Sequence, residues 1–125
     1  MNKKELEART KSFALRVIKF VSALPKNEVN RVVGYQLLKS GTSIGANYRE
    51  ANRAESRKDF IHKACTEQGR SIAIIEKEAA ETQYWLELCA EADIGNPEQS
   101  QWLLKESGEL LAIFTASGRT AKSRR

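Results

Sequence analysis

One histidine, His62, stands three residues after Asp59 and three before Cys65. On a helix those three share a face, so a His–Asp or Cys–His contact is geometrically open. Nucleophilic catalysis needs more, namely a base oriented by a third group beside a developing oxyanion. With a single histidine in the chain, every such set would have to use His62. The bland assignments fit better: His62 as an exposed partner of Asp59 or of solvent, Cys65 as a small buried hydrophobe. A di-iron bundle needs Glu-x-x-His repeated on paired helices, and here Asp59, not Glu, precedes the histidine. No Cys-x-x-Cys pair supports a structural zinc ion. Gly41 and Gly45 match neither the P-loop nor the dinucleotide fingerprint, and no strand precedes them. Glu76, Glu78, Glu81, Glu87 and Glu91 could divide acid and base roles if their surroundings split their pKa values, but they read as a solvated or ion-paired helix face. The expectation is a protein without catalytic, metal or cofactor sites.

The basic residues have more structure to their spacing. Arg9, Arg16 and Lys19 fall on one flank of a helix, and Arg49 and Arg53 lie one turn apart, followed by Arg57 and Lys58. Such groups hold phosphates without reading sequence. Aromatic residues make up 7% of the chain and form no pattern for stacking bases. The net charge of +5 hides a segregation. Residues 1–26 hold seven basic and two acidic groups, residues 27–58 six and three, residues 59–94 three and eight, and residues 95–125 five and three. A basic first half beside an acidic third quarter suits two roles: a nucleic-acid face, or complementary docking between helices or subunits.

These residues must be positioned by one domain. The 125 residues are too few for two ordinary cores yet enough for one, at 41% apolar and 30% charged composition. No apolar run approaches the roughly 18 residues that span a bilayer, and no apolar stretch follows the charged N-terminus as in a secretory signal. A cytoplasmic protein is expected, with a domain over residues 2–118 and a basic, disordered tail over 119–125.

Helical spacing runs through the whole domain, punctuated by Pro25 and Pro97. The first helix is expected from Lys3 to Ala23, with Leu6, Phe13, Ala14, Val17, Val21 and Leu24 inward. The second runs from Asn27, its N-cap, to Ala54, with Val29, Val33, Leu37, Ile44, Tyr48 and Ala51 inward. Gly41 and Gly45, one turn apart within it, read as a place where a neighbouring helix comes close. Ser56 and Asp59 resemble a capping box for a third helix reaching Ala90. Ile61, Cys65, Gln68, Ile72, Ile75, Ala79, Thr82, Leu86 and Cys89 form its seam, with a coiled-coil period of 3.5 residues. Gln68 and Thr82 are the polar members that could fix pairing. Phe60, Ala64, Ile74, Trp85 and Leu88 form a second apolar group. Cys65 and Cys89 on one helix would stand about 36 Å apart, too far for a disulfide. A turn at 93–96 leads to a fourth helix capped by Asn96, with Pro97 in its first position and Gly118 as its stop. Trp102, Leu103, Leu110, Ile113 and Phe114 form its inner face. Four helices with short turns give an antiparallel up-and-down bundle.

Several segments then look familiar together. Ser43-Ile44-Gly45-Ala46-Asn47-Tyr48-Arg49-Glu50 resembles the S-I-P-S-N-I-x-E segment of the four-helix bundle proteins encoded in 23S rRNA intervening sequences. Ser56-Arg57-Lys58-Asp59-Phe60-Ile61 matches that family's S-x-K-D-F-I, and the segment from Glu78 to Leu88 resembles its E-x-x-E-T-x-Y-W-L-x-L. Glu109 to Phe114 resembles its last helix. Gly45 stands where proline is common and Ala51 where glycine is common. The resemblance implies a left-handed bundle that assembles into a ring of its own copies, commonly a homopentamer, without established enzymatic activity. It also points to Asn47, Glu50, Ser56, Asp59, Glu78 and Glu81 as the motif positions. A similar bundle, the accessory variability protein of diversity-generating retroelements, binds nucleic acid and a reverse transcriptase. By that analogy structured RNA or DNA, or a protein partner, is the expected ligand.

Overall fold

The computed structural model describes the backbone of residues 1–58 and 64–123 and the side chains of residues 1–56 and 71–118. Four helices account for nearly all of it: α1 (Lys3–Ser22), α2 (Glu28–Lys58), α3 (Ala64–Glu91) and α4 (Pro97–Ser123). Each packs on its neighbour in sequence, and α1 closes the set by meeting α4 less closely. This is the expected all-α, up-and-down four-helix bundle.

The punctuation follows side-chain chemistry. Asn2, Asn27 and Asn96 each turn Oδ1 onto the backbone N–H three residues ahead, at 2.8, 2.8 and 3.0 Å. Each thereby satisfies a donor that the first helical turn leaves orphaned. α3 ends with Asp93 in the left-handed region (φ 57°) and the Ile94 N–H donating back to the Cys89 carbonyl at 2.8 Å, a Schellman closure. Gly95 follows at φ 80°, and a Cβ there would lie 2.5 Å from the Phe20 ring. The turn thus needs a glycine for both its backbone and its neighbour.

The core runs along the bundle axis. Phe13 and Val17, Leu37 and Ile44, Ile75 and Leu86, and Leu103, Leu110 and Phe114 are fully buried. Removing side chains of this kind from water stabilises by about 1.5–3 kcal/mol apiece. Tyr48 stands edge-on to Phe114 at 5.3 Å and links α2 to α4 across the interior. Gly41 and Gly45 do mark a close approach. A Cβ on Gly41 would sit 3.1 Å from Val17, and one on Gly45 3.2 Å from Thr10.

Five expectations need correction. α2 does not stop near Ala54 but continues to Lys58, so Ser56 lies inside it and caps nothing. No glycine or proline between 54 and 58 interrupts its backbone hydrogen bonding. Gly118 does not stop α4, which runs on to Ser123. Gly118 is buried, and a side chain there would collide with Glu76, so its role is contact with α3. Val29 is exposed rather than inward, in the first turn of α2 beyond the packed stretch. Thr82 is buried but fixes no pairing, because its hydroxyl donates to the Glu78 carbonyl of its own helix at 2.7 Å. Trp102, expected inward, is 38% exposed. Gln68, Ile61, Phe60 and the Asp59–His62–Cys65 set lie outside the described side chains.

α3 runs through both cysteine positions, which keeps them far apart. Cys89 is a free, buried thiol, and burial pushes its pKa up to about 11. It is therefore a protonated core atom at neutral pH rather than a nucleophile. Among the described residues no helix is long and apolar enough to cross a membrane, and no three His, Cys, Asp or Glu side chains gather as a metal site requires.

Candidate nucleic-acid interface

The helix charges do not mix evenly. α1 holds six basic and two acidic residues and α2 six and three, whereas α3 holds two and six. Because α1 and α2 are neighbours, one side of the bundle is basic while α3 is acidic. Which of the cations face solvent decides what that side can do.

The expected stripe of Arg9, Arg16 and Lys19 does not act as a unit. Arg9 turns into the α1–α4 seam. Its Nε and Nη2 donate to the two oxygens of Glu106, both at 2.7 Å, and Nη2 also donates to Glu109 at 2.8 Å. The Glu106 carboxylate raises the guanidinium's pKa above its ordinary value. A bidentate, mostly covered pair of this kind is a clasp, and two carboxylates already compensate the guanidinium's charge. Arg16 lies instead over the Trp102 ring, 3.8 Å from its centroid. Lys19 is exposed beside the α3–α4 turn.

The second basic group stays open. Lys11 and Ala14 of α1, with Thr42, Gly45, Ala46, Arg49, Glu50 and Arg53 of α2, line a groove of about 350 Å³ that Glu7 closes at one wall. The glycine floor explains its shape: α1 sits so close to α2 that long side chains must rise from the groove's rims. Lys11 and Arg53 are exposed, with no carboxylate partner among the described residues. Arg49 is half-exposed and stands 3.7 Å from Glu7, a loose pair in water. Glu7 has a better partner below, accepting from Asn52 Nδ2 at 2.8 Å. Asn52 adjoins the buried Tyr48 hydroxyl, whose pKa desolvation raises. Asn52 Oδ1 is buried with no hydrogen-bond partner. Arg57 and Lys58 extend the same helix, but their side chains lie outside the described set.

A family model, that of the 23S rRNA-intervening sequence protein, matches residues 3–116. The chain belongs to the 23S rRNA-intervening sequence protein family. A crystal structure at 1.70 Å of a protein of unknown function from the S23 ribosomal protein family of Bacteroides thetaiotaomicron VPI-5482 is similar to it. That chain is 32% identical, the match covers 95% of this chain and 99% of the other, and the TM-score is 0.76. No curated protein matches it.

Of the family-motif positions Glu50 lines the basic groove, and the other described ones lie elsewhere. The backbone of α2 comes close to α1 and α3, Tyr48 reaches Phe114 of α4 across the interior, and Gly45 marks the α1 flank. Asn47, half a turn round from Gly45, therefore sits on the α3 flank, where its amide donates to the Ser43 carbonyl at 2.8 Å. On α3, Glu76 and Gln83 mark the α4 flank through Thr115, Gly118 and Gly108. Glu78 lies on the opposite flank, toward α2, and Glu81 next to it accepts from the Trp85 indole N–H at 3.4 Å. Glu50 is exposed on the α2 side of the groove. Ser56 is exposed near the end of α2, and Asp59 lies outside the described residues. Sequence spacing missed three participants, Lys11, Thr42 and Glu7, because a groove joins two helices and neither helix's own periodicity reveals it. The glycine pair was the available signal.

Proposed function

We propose that the protein is a non-enzymatic helical bundle that binds the phosphate backbone of RNA or DNA through its α1–α2 face and works as a homo-oligomer. One observation carries this: Lys11, Arg49 and Arg53 rise around a single groove whose two carboxylates are Glu50 and Glu7, the latter in a loose 3.7 Å pair with Arg49, while the charge of Arg9 nearby is compensated by two glutamates. Cations that the fold leaves uncompensated are free to neutralise phosphates, with counterion release as the driving force. The family description names a 23S rRNA intervening sequence, and a phosphate-binding face is compatible with that. The ring of copies, a pentamer, is what the resemblance implies.

Filter binding of a structured RNA and of duplex DNA tests the reading. Three phosphate contacts predict roughly a 40-fold loss of affinity between 50 and 200 mM salt. Arg49→Glu with Arg53→Glu removes the remaining binding. Salt-insensitive or undetectable binding by the unmodified protein rejects it. A second reading rests on the charge contrast itself, in which the basic α1–α2 side docks on the acidic α3 of another copy or on a separate protein. It predicts an assembly that weakens in high salt with no nucleic acid bound, which light scattering at two salt concentrations reads directly.

A further inference from the structure

We propose that Arg16 and Trp102, on the α1–α4 seam, form a stacking platform for an unpaired nucleobase, so that the protein prefers single-stranded nucleic acid to a duplex. The proposal rests on the nucleic-acid reading above and names the form of ligand it takes. Arg16 is exposed, has no carboxylate partner among the described residues, and sits over the indole with its guanidinium carbon 3.8 Å from the ring centroid. The seam does not need it for closure, because Arg9 already clasps Glu106 and Glu109 two turns away. A guanidinium on an indole presents a flat cationic surface, the type on which splayed bases stack.

What adjoins the platform fits the same ligand. Lys19, three residues on from Arg16, and Gln99, three residues before Trp102, lie one helical turn away on their helices. Both line a hollow of about 520 Å³ with Phe20, Pro25, Asp93 and Asn96. That volume falls within the range of small-ligand sites. It offers an amide for a base edge, an ammonium for a phosphate and an apolar floor, with the Asp93 carboxylate its one acidic group. A base inside a duplex has both faces covered and cannot use such a platform, whereas the Lys11–Arg49–Arg53 groove serves both forms.

The experiment uses the Trp85→Phe protein, in which Trp102 is the sole tryptophan, titrated with a short oligouridylate and with an RNA duplex of equal length. Oligouridylate should quench Trp102 emission and the duplex should not. Trp102→Leu should weaken oligouridylate binding roughly tenfold and leave duplex binding unchanged, and Trp102→Phe, which keeps an aromatic face, should restore most of the loss. Arg49→Glu should weaken both ligands, which separates the groove from the platform. Equal weakening of both ligands by Trp102→Leu, or of neither, overturns the platform alone. So does a change in sedimentation with oligouridylate affinity intact, which would make Trp102 a contact between copies. Failure of the unmodified protein to bind either ligand removes the nucleic-acid reading and the platform with it.

Discussion

Helix α1 meets its two neighbours by opposite means. Against α2 the contact along the glycines is steric: a Cβ on Gly34, Gly41 or Gly45 would come within 3.1–3.2 Å of Val21, Val17 or Thr10, and polar groups cross nearer the start of α1, where Lys3 pairs with Glu55 and Glu7 accepts from Asn52. Against α4 the approach is less close and is bridged by the Arg9 clasp and by Arg16 lying on Trp102. Arginine consequently plays two parts on the same bundle. Where two helices stand apart, its length spans the gap and its charge is spent on glutamates. Along the glycines no gap remains to span, and Lys11, Arg49 and Arg53 rise at the rims, whereas Lys3, away from the glycines, pairs with Glu55. Close packing thus leaves the charge free that the proposed function uses.

The largest effect should come from filling the steric seam. Gly41→Leu places a branched side chain against buried Val17, and overpacking of this kind should destabilise by about 3 kcal/mol. Urea unfolding measures it, and a loss below about 1 kcal/mol would mean that α1 yields easily and the seam is not tight. Next comes the polar seam. Arg9→Met leaves Glu106, whose side chain is only 14% exposed, without its bidentate donor, and should cost about 2 kcal/mol. Arg49→Met, which loses only the 3.7 Å pair with Glu7, should stay within about 0.5 kcal/mol. Double-mutant cycles for Arg9 with Glu106 and for Arg49 with Glu7 would break the contrast if the two coupling energies came out equal. Arg16→Ala should cost less than the clasp, about 0.5–1 kcal/mol for an exposed cation–π contact.

That ordering also explains what spacing alone could reveal. Apolar periodicity reports how one helix faces an interior, so Phe13, Val17, Leu37, Ile44, Ile75 and Leu86 were readable at once. Caps are local too, which is why Asn27 and Asn96 were legible and tied to a hydrogen bond three residues ahead. Ser56 misled because a capping pattern is meaningful only where a helix begins, and nothing in the residues before it ends α2. The fate of an arginine is a property of two helices. Arg9 and Arg16 have the same spacing and chemistry in sequence, and only the α4 residues opposite them, Glu106 with Glu109 in one case and Trp102 in the other, make one a clasp and the other an exposed face.

The smallest effect separates close approach from ordinary helix propensity. Gly108 lies inside α4 on its α3 flank, where a Cβ would meet only the Gln83 side-chain amide at 3.5 Å, an ordinary contact with a flexible group. Gly108→Ala should therefore gain part of the roughly 1 kcal/mol that alanine holds over glycine within a helix. Gly45→Ala offers the same gain in backbone entropy but sets its methyl 3.2–3.4 Å from Thr10 Oγ1, Cβ and carbonyl carbon, atoms that cannot swing aside without moving α1. The two effects oppose at Gly45, so its variant should be neutral or less stable while the Gly108 variant is more stable. Thermal or urea unfolding of the pair isolates the steric part, since propensity is common to both. If the two variants gained equally, α1 would not be pressed against α2, and the outward reach of Lys11, Arg49 and Arg53 would need another cause.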